Sequence, residues 1–349
     1  MSPEAQQPAT PRRPLPRQDL DHVLAHTGSL WAGLRGGRIF VTGGSGFFGA
    51  WLVETFEHAR KALGFQTELH LLCRDPEAWA RRAPHLAASP AIRLHPGGLL
   101  DFQPPAGPFD GLIHMAVDHG TPGDHERQAV DGARRILDLA GAAGVSRLLF
   151  TSSGAVYGPA TGPDPLGEDR PVQPVTDYGR AKGVVEELFA AHAQARGAEA
   201  VLARCFAFVG PGLPLDANYA IGNFLRDALA GQPIRIQGDG TPLRSYLHGA
   251  DLAIWLWTLY FRGPSCLPVN VGSDQPCSIR ELATRVAAQV SPGLPVEVLG
   301  QAVPGVPPPS YLPAIHRARA LCGLEVRIGL DEAIQRTAEW HRAPGVPAP

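Results

Sequence analysis

Short apolar runs alternate with helically spaced apolar residues along the first 205 residues of the chain. The runs predict buried strands at 38–42, 68–73, 92–95, 111–115, 148–151 and 200–205. Helical spacing of apolar residues predicts helices over 48–63, 127–143 and 178–195. Because strands and helices alternate, we predict an α/β fold whose parallel sheet is doubly wound, with helices on both faces.

The alternation weakens after residue 205, where Pro and Gly cluster at 210–215, 231–242 and 291–309. Helical spacing returns at 279–290 and 331–341. We therefore predict three parts: an N-terminal tail and helix over 1–36, a sheet domain over 37–205, and, over 206–349, mainly a smaller substrate-binding lid with some segments returning to the sheet domain. In the first part, we expect a disordered tail to Gln18 and one helix from Asp19 to Leu34.

Composition narrows the possible partners. The formal net charge is −2, so the chain has no bulk attraction to nucleic acid or to an anionic membrane. No run approaches the ~18 apolar residues of a membrane span, and the N-terminus lacks the apolar core of a secretion signal. The five cysteines form no CxxC pair, which disfavours a disulfide framework and a zinc site. We predict a cytoplasmic protein that binds no metal, membrane or nucleic acid.

A glycine-rich turn follows the first predicted strand and opens the first predicted helix. Its glycines have the spacing G-x-x-G-x-x-G, which permits a tight turn and lets the backbone approach a pyrophosphate. The helix N-terminus then supplies free N–H groups and a positive dipole end. We predict a dinucleotide site here. The expected contacts are Gly43, Ser45, Gly46, Phe47, Phe48 and Gly49.

The end of the second predicted strand bears on the choice between NAD and NADP. An acid at this point binds a ribose 2′-hydroxyl, whereas an arginine suits a 2′-phosphate. Arg74 and Asp75 place both residue types here. Because Arg74 comes first, we predict NAD or NADP as the cofactor, with NADP favoured.

A second motif carries acid–base chemistry. Ser153 ends the fifth predicted strand, and Tyr178 and Lys182 stand four residues apart, on one face of a predicted helix. An ammonium near a phenol stabilises phenolate and lowers the pKa of the tyrosine. Such a tyrosine accepts a proton from a sugar hydroxyl while hydride leaves the carbinol carbon. We predict that these three residues are catalytic.

These motifs resemble those of the extended short-chain dehydrogenase/reductase family, the NAD(P)-dependent epimerase/dehydratases of nucleotide sugars. The resemblance runs from Gly37 to His341. It includes 110–116, 204–211, 238–248 and 270–273, which are similar to family segments in the family's order. It implies a Rossmann-type sheet domain, a lid that binds a nucleotide-diphosphate sugar, and a homodimer formed through the helices at 127–143 and 178–195.

The resemblance also implies residue roles. Tyr178 is expected to be the general base, Lys182 its activator and Ser153 the hydroxyl-orienting partner, and the first two also to contact the cofactor. Ala116 joins the cofactor contacts. Arg244 is expected to hold the nucleotide diphosphate, where a guanidinium suits two oxygens. The expected substrate contacts are Ser153, Asn223, Arg244 and Tyr311.

Some positions depart from the family pattern. Gly98, Ala129 and Ala207 stand where the family often has Asp, Asn and Asn. Gly154 and Ala155 stand where family dehydratases have carboxylates, and they cannot act as acid or base. We therefore favour a nucleotide-sugar epimerase or 4-ketoreductase.

Two other hypotheses stay open. One is a 4,6-dehydratase or decarboxylase that uses another carboxylate, with Asp118 and Asp216 as candidates. The other is a non-catalytic dinucleotide-binding protein, which the three missing family residues motivate and the intact Ser–Tyr–Lys set opposes.

Overall fold

The computed structural model describes residues 12–34, 36–116, 124–217 and 219–343. The strands are β1 Gly37–Thr42, β2 Thr67–Cys73, β3 Ile92–Pro96, β4 Gly111–His114, β5 Arg147–Ser153, β6 Ala160–Thr161, β7 Glu199–Cys205, β8 Phe208–Val209, β9 Ile234–Ile236, β10 Leu243–Arg244, β11 Leu247–His248, β12 Val269–Val271, β13 Cys277–Ser278, β14 Val296–Val298 and β15 Pro309–Tyr311. The α-helices are α1 Arg17–Thr27, α2 Phe47–Leu63, α3 Pro76–Arg82, α4 Pro84–Ala87, α5 His125–Ala142, α6 Asp177–Arg196, α7 Ala220–Leu229, α8 Gly249–Arg262, α9 Ile279–Val290, α10 His316–Cys322 and α11 Leu330–Arg342.

A seven-stranded parallel sheet forms the centre of the molecule. Its strand order is β12-β7-β5-β4-β1-β2-β3. The order reverses at β1, whose two neighbours are β2 and β4, so the carboxyl ends of β1 and β4 border the crevice in which doubly wound sheets bind ligands. The predicted α/β class and doubly wound sheet are confirmed.

Alternating side chains of each strand pack on opposite faces of the sheet. Ile39 and Val41 belong to a larger core that includes α2 and α8, whereas Phe40 belongs to a second core with α5 and α6. Near-continuous apolar strands are required because helices cover both faces. Helix α8 is buried along almost its whole length and contributes Trp255 and Trp257 to the larger core.

The chain beyond β7 builds the smaller sheets and also returns to the large one. The short strands β13, β10, β15 and β6 form one small sheet, and β9 pairs with β14. In contrast, β12 pairs with β7 at the edge of the large sheet, and α8 packs on its face. The lid and the sheet domain are therefore interleaved along the sequence.

The structure corrects the prediction for the N-terminus. Residues 1–11 lie outside the described residues, but the expected tail is wrong for 12–18, because Leu15 is buried and α1 begins at Arg17. The expected helix over 19–34 is also wrong in extent. An α-helix ends at Thr27, and a 3-10 helix continues over Gly28–Gly33. Trp31 of this turn anchors it in an aromatic cluster with Phe65 and Trp257.

None of the helices within the described ranges has the length and apolar character that a membrane crossing requires.

Candidate active site

The glycine turn between β1 and α2 has the geometry of a phosphate cradle. Gly43 has φ +77°, and a Cβ there would lie 2.6 Å from the backbone N of Ala116. A Cβ at Gly49 would overlap the carbonyl oxygen of Gly43. Gly46 precedes α2 and offers no side-chain cap, so the first N–H groups of the helix keep no partner within it. This backbone fits a dinucleotide diphosphate, and the turn brings Ala116 to its side.

Two residues at the end of β2 bear on the choice of cofactor, and they differ in their hydrogen-bond partners. Asp75 caps α3, because its Oδ1 accepts a hydrogen bond from the N–H of Ala78 at 2.8 Å. Arg74 is exposed and has no such structural partner among the described residues.

Near the missing acid at Gly98, the carboxylate of Asp101 accepts the Gly98 N–H at 2.6 Å. A carboxylate is therefore present at this turn, three residues later than the family pattern expects.

The three predicted catalytic residues converge at the carboxyl end of β5. Ser153 is the last residue of that strand and is buried. Tyr178 and Lys182 lie on the first two turns of α6, and Nζ of Lys182 is 5.7 Å from the centre of the Tyr178 ring. Thr176 caps α6 by accepting the Gly179 N–H, which fixes where the helix begins.

The protonation states differ from the sequence-based expectation. Loss of hydration around the phenol raises the pKa of Tyr178 to about 12, although 42% of the residue remains exposed, and the nearby Ser153 hydroxyl opposes this rise. Burial also lowers the pKa of Lys182 to about 8, although Cys205 and Glu186 raise it. The expected lowering of the Tyr178 pKa by Lys182 is thus wrong for the protein without its ligands. The reason is that loss of hydration dominates, and that the Lys182 ammonium donates to the carbonyl of Thr151 at 2.7 Å.

Tyr311 adds a further hydroxyl group to those of Ser153 and Tyr178. Its Oη lies 3.4 Å from Oγ of Ser153 and 3.5 Å from the carbonyl oxygen of Cys205. It sits on β15, which pairs with β10 so that Tyr311 is opposite Arg244. The Arg244 guanidinium carbon is 6.0 Å from the centre of the Tyr311 ring. Tyr311 is therefore a neighbour of both Ser153 and Arg244.

Asn223 forms its hydrogen bond within its own helix. It lies on α7, where its Oδ1 accepts a hydrogen bond from Arg226 at 3.3 Å. Among the described residues it has no hydrogen bond to the Ser–Tyr–Lys group, whereas Tyr219, one turn before it, acts on the pKa of Tyr178. Its expected substrate role stays a prediction.

Phe206 shapes the site next to Ser153, and sequence reasoning gave it no role. A Cβ at Gly154 would lie 2.6 Å from Cζ of Phe206, and the Phe206 and Tyr311 rings are 4.6 Å apart. Position 154 therefore has no room for any side chain while this ring stays in place. Only the position of Phe206 directly after β7 hinted at this role.

A buried carboxylate near the site, Glu186, is already paired with protein groups. Glu186 accepts hydrogen bonds from Ser152 and two from the guanidinium Nε and Nη2 of Arg204, the latter at 2.7 Å. This bidentate pair raises the pKa of Arg204, and both side chains are buried. Sequence reasoning missed the pair because its members are 18 positions apart, on α6 and β7. It holds the helix that carries Tyr178 and Lys182 against the strand ends.

Of the two carboxylates considered for dehydration, the structure describes only Asp216. Asp118 lies outside the described residues. Asp216 is exposed in a bend and contacts neither Ser153 nor Tyr178 within the part of the chain that is described.

Comparison with known proteins decides the family. Residues 39–272 match the NAD dependent epimerase/dehydratase family. The chain belongs to this family. The resemblance inferred from the motifs is thereby confirmed, and membership indicates an enzyme with a nicotinamide dinucleotide, NAD or NADP, as its cofactor.

Individual members of the family differ in activity. UDP-glucuronic acid decarboxylase 1 of Xenopus tropicalis is 30% identical over 215 residues, which are 60% of this chain and 50% of that protein. The chain thus spans about half the length of that relative. UDP-glucose 4-epimerase of Azospirillum brasilense is 27% identical over 331 residues, covering 88% of this chain and 92% of that protein.

A solved structure has the same fold. It is DesIV, the dTDP-glucose 4,6-dehydratase of Streptomyces venezuelae, with NAD and TYD bound. The TM-score is 0.74 at 21% identity, over 87% of this chain and 97% of that chain. At this identity the likeness supports the fold alone.

Proposed function

We propose that the protein oxidises or reduces one carbon of a nucleotide-diphosphate sugar, either transiently, as an epimerase, or in one direction, as a 4-ketoreductase. The observation that carries this proposal is the contact between Phe206 and Gly154. This contact leaves no carboxylate at position 154. Within the described part of the chain, Ser153 and Tyr311 offer hydroxyls 3.4 Å apart, and Tyr178 and Lys182 supply a phenol and an ammonium from α6. Hydroxyls and one ammonium suffice for redox at a carbinol carbon.

The chain's own residues handle the proton and the orientation of the substrate. When bound, the nicotinamide accepts hydride from the carbinol carbon or returns it to a ketone. Ser153 and Tyr311 hydrogen-bond the reacting oxygen, and Tyr178 exchanges a proton with it. Arg244 binds the diphosphate, which it suits as a planar donor of two parallel hydrogen bonds.

The high pKa of Tyr178 bears on the direction of the reaction. A phenol with a pKa of about 12 is protonated at neutral pH, so it is ready to donate a proton to a keto oxygen. That state suits proton donation in either reaction, since an ordinary tyrosine with a pKa of about 10 is also protonated at neutral pH. For an epimerase, the positive charge of an oxidised nicotinamide and the Lys182 ammonium must first lower this pKa. Arg74, free of the cap that Asp75 makes, supports NADP as the reductant.

A decarboxylase is the second candidate, and the similarity to the Xenopus enzyme favours it. Oxidation at carbon four of a uronic acid gives a β-keto acid, which loses CO2 without a protein carboxylate. The Phe206–Gly154 contact therefore opposes dehydration, which needs an acid and a base near carbons five and six, but it does not oppose decarboxylation.

Mass spectrometry separates these reactions. The small molecules of the denatured protein are analysed first. The protein is then incubated with UDP-, dTDP-, GDP- and CDP-sugars, their 4-keto forms and UDP-glucuronate. Retained nicotinamide with a mass-neutral sugar change supports the epimerase, and a gain of two hydrogens that requires NADPH supports the reductase. Loss of CO2 identifies the decarboxylase. Loss of water, or no change with any sugar, contradicts the proposal.

A further inference from the structure

The chain upstream of β1 docks onto two helices that flank the glycine turn. The N–H of Leu15 donates to Oε2 of Glu54 on α2 at 2.7 Å, and the N–H of Arg12 donates to the carbonyl of Arg82 on α3. Leu15 is buried. Two hydrogen bonds, at Arg12 and at Leu15, therefore hold this short segment in place.

Docking brings the guanidinium of Arg12 into a small cavity beside the turn. Gly44 and Ser45 of the turn, Ala50 of α2 and Trp79 of α3 line this cavity. On the other side, a Cβ at Gly212 would overlap Nη2 of Arg12. The absence of a side chain at position 212 makes room for the guanidinium.

One donor of the Arg12 guanidinium has no acceptor within the protein. Its Nη2 is buried and has no hydrogen-bond acceptor among the described residues. Glu54 lines the same cavity, where its Oε2 accepts from Leu15 and its Oε1 lies 3.5 Å from Nε2 of His85. Burial lowers the pKa of Arg12 and the nearby Arg82 adds to this, whereas the Glu54 carboxylate opposes it without a hydrogen bond to Nη2. Buried guanidinium donors are normally satisfied.

We propose that Arg12 binds a phosphate group of the dinucleotide cofactor, so that the N-terminal segment completes the cofactor site. The inference rests on the nicotinamide cofactor of the proposed function and adds a residue from outside the glycine motif. A guanidinium forms strong charge-assisted hydrogen bonds with phosphate oxygens, whereas the turn itself supplies only neutral N–H groups. The diphosphate and the 2′-phosphate of NADP present the same oxygen chemistry.

Binding of NADH and NADPH to the full chain tests the assignment, with nicotinamide fluorescence as the readout. Loss of a charge-assisted bond is expected to raise the Kd of Arg12→Gln about tenfold or more. An equal rise for both nucleotides assigns the diphosphate, and a rise for NADPH alone assigns the 2′-phosphate. Unchanged Kd values for both nucleotides overturn the proposal.

Two further variants distinguish ligand binding from docking of the segment. Arg13→Gln is the matched control, because Arg13 is the next residue but donates to the carbonyl of Trp340 instead. Arg12→Lys keeps the charge and is expected to have an intermediate Kd. An equal rise in Arg13→Gln would show that docking alone is responsible and would overturn the assignment.

Binding and turnover by the wild-type protein distinguish failure of this proposal from failure of the proposed function. Wild-type binding without turnover of any nucleotide sugar contradicts the proposed function and leaves the Arg12 comparison valid. A wild type that binds neither nucleotide overturns the Arg12 assignment itself.

Discussion

The ring of Phe206 fills the space beside Gly154, 2.6 Å from the position that a Cβ would take. Gly154 directly follows Ser153, so a ring from the end of β7 prevents a side chain from entering the site at this point. The contact explains the glycine by packing rather than by backbone conformation. The absence of a carboxylate at position 154 therefore depends on Phe206 as well as on Gly154.

We expect Gly154→Asp to lower the free energy of unfolding by about 1–3 kcal/mol, the usual cost of overpacking. Combined with Phe206→Ala, it should cost less than the sum of the two single changes, because the ring that clashes is gone. Urea unfolding of the single and double variants measures the coupling. Gly167→Asp is the control, since a Cβ at Gly167 meets no atom within 4 Å. Strictly additive effects of the two changes would contradict the proposed clash.

Tyr178→Phe should reduce kcat about 10²- to 10⁴-fold, because it removes the proton-transfer hydroxyl and leaves the ring. The Kd of the nicotinamide cofactor should change much less. Steady-state kinetics on the sugar identified by mass spectrometry measures the effect. Tyr260→Phe is the matched control, since its hydroxyl lies against Gly111, at the opposite end of the strands from Ser153. Full activity in Tyr178→Phe would refute the catalytic assignment.

Lys182 should make stability depend on pH in the alkaline range. Its pKa is about 8 in the folded protein and 10.5 ordinarily, so between these values the unfolded chain binds more protons. The free energy of unfolding should therefore rise from pH 8 to pH 10.5, by about 3 kcal/mol relative to Lys182→Met. Below pH 8 both states are protonated and this gain is absent.

Urea unfolding at pH 7, 8, 9 and 10 of the wild type and Lys182→Met checks this difference. Lys61→Met provides the control, because Lys61 is exposed and pairs only with Glu57 on its own helix. Parallel pH profiles for the wild type and Lys182→Met would show that Lys182 titrates at its ordinary pKa.

Breaking the buried pair between Glu186 and Arg204 should be costly. Arg204→Met leaves a buried carboxylate without its partner, so we expect a loss of about 3–5 kcal/mol in the free energy of unfolding. The double variant with Glu186→Leu should lose less than the sum of the single changes. The exposed pair of Arg235 and Glu297 is the comparison, and Arg235→Met should cost at most about 1 kcal/mol. A similar cost at both sites would contradict a desolvated pair.

Arg74 should decide the preference between the two cofactors. Arg74→Ala is expected to raise the Kd for NADPH about tenfold while leaving that for NADH nearly unchanged, because only NADPH carries the 2′-phosphate. Fluorescence titration measures both. Arg81→Ala, which removes an exposed arginine of α3 that pairs with Glu77, is the control. Equal effects on both nucleotides would place Arg74 away from the 2′-phosphate.

Local patterns in the sequence were enough to predict the central sheet and the position of its motifs. Each strand predicted over residues 38–205 overlaps an observed strand, because strands covered on both faces are continuously apolar. Ser153, Tyr178 and Lys182 were recognised from spacing within one strand end and one helix. The match of residues 39–272 shows the family, and the roles of these three residues stay predictions.

Tertiary structure decided what depends on residues far apart in the chain. Loss of hydration around the phenol raises the pKa of Tyr178, and spacing along a helix carries no information about desolvation. Phe206 reaches Gly154 across 52 positions, and Arg12 reaches the glycine turn from a segment that composition alone assigns to a tail. Sequence periodicity reports which face of an element is buried, whereas these contacts exist only after the elements pack together.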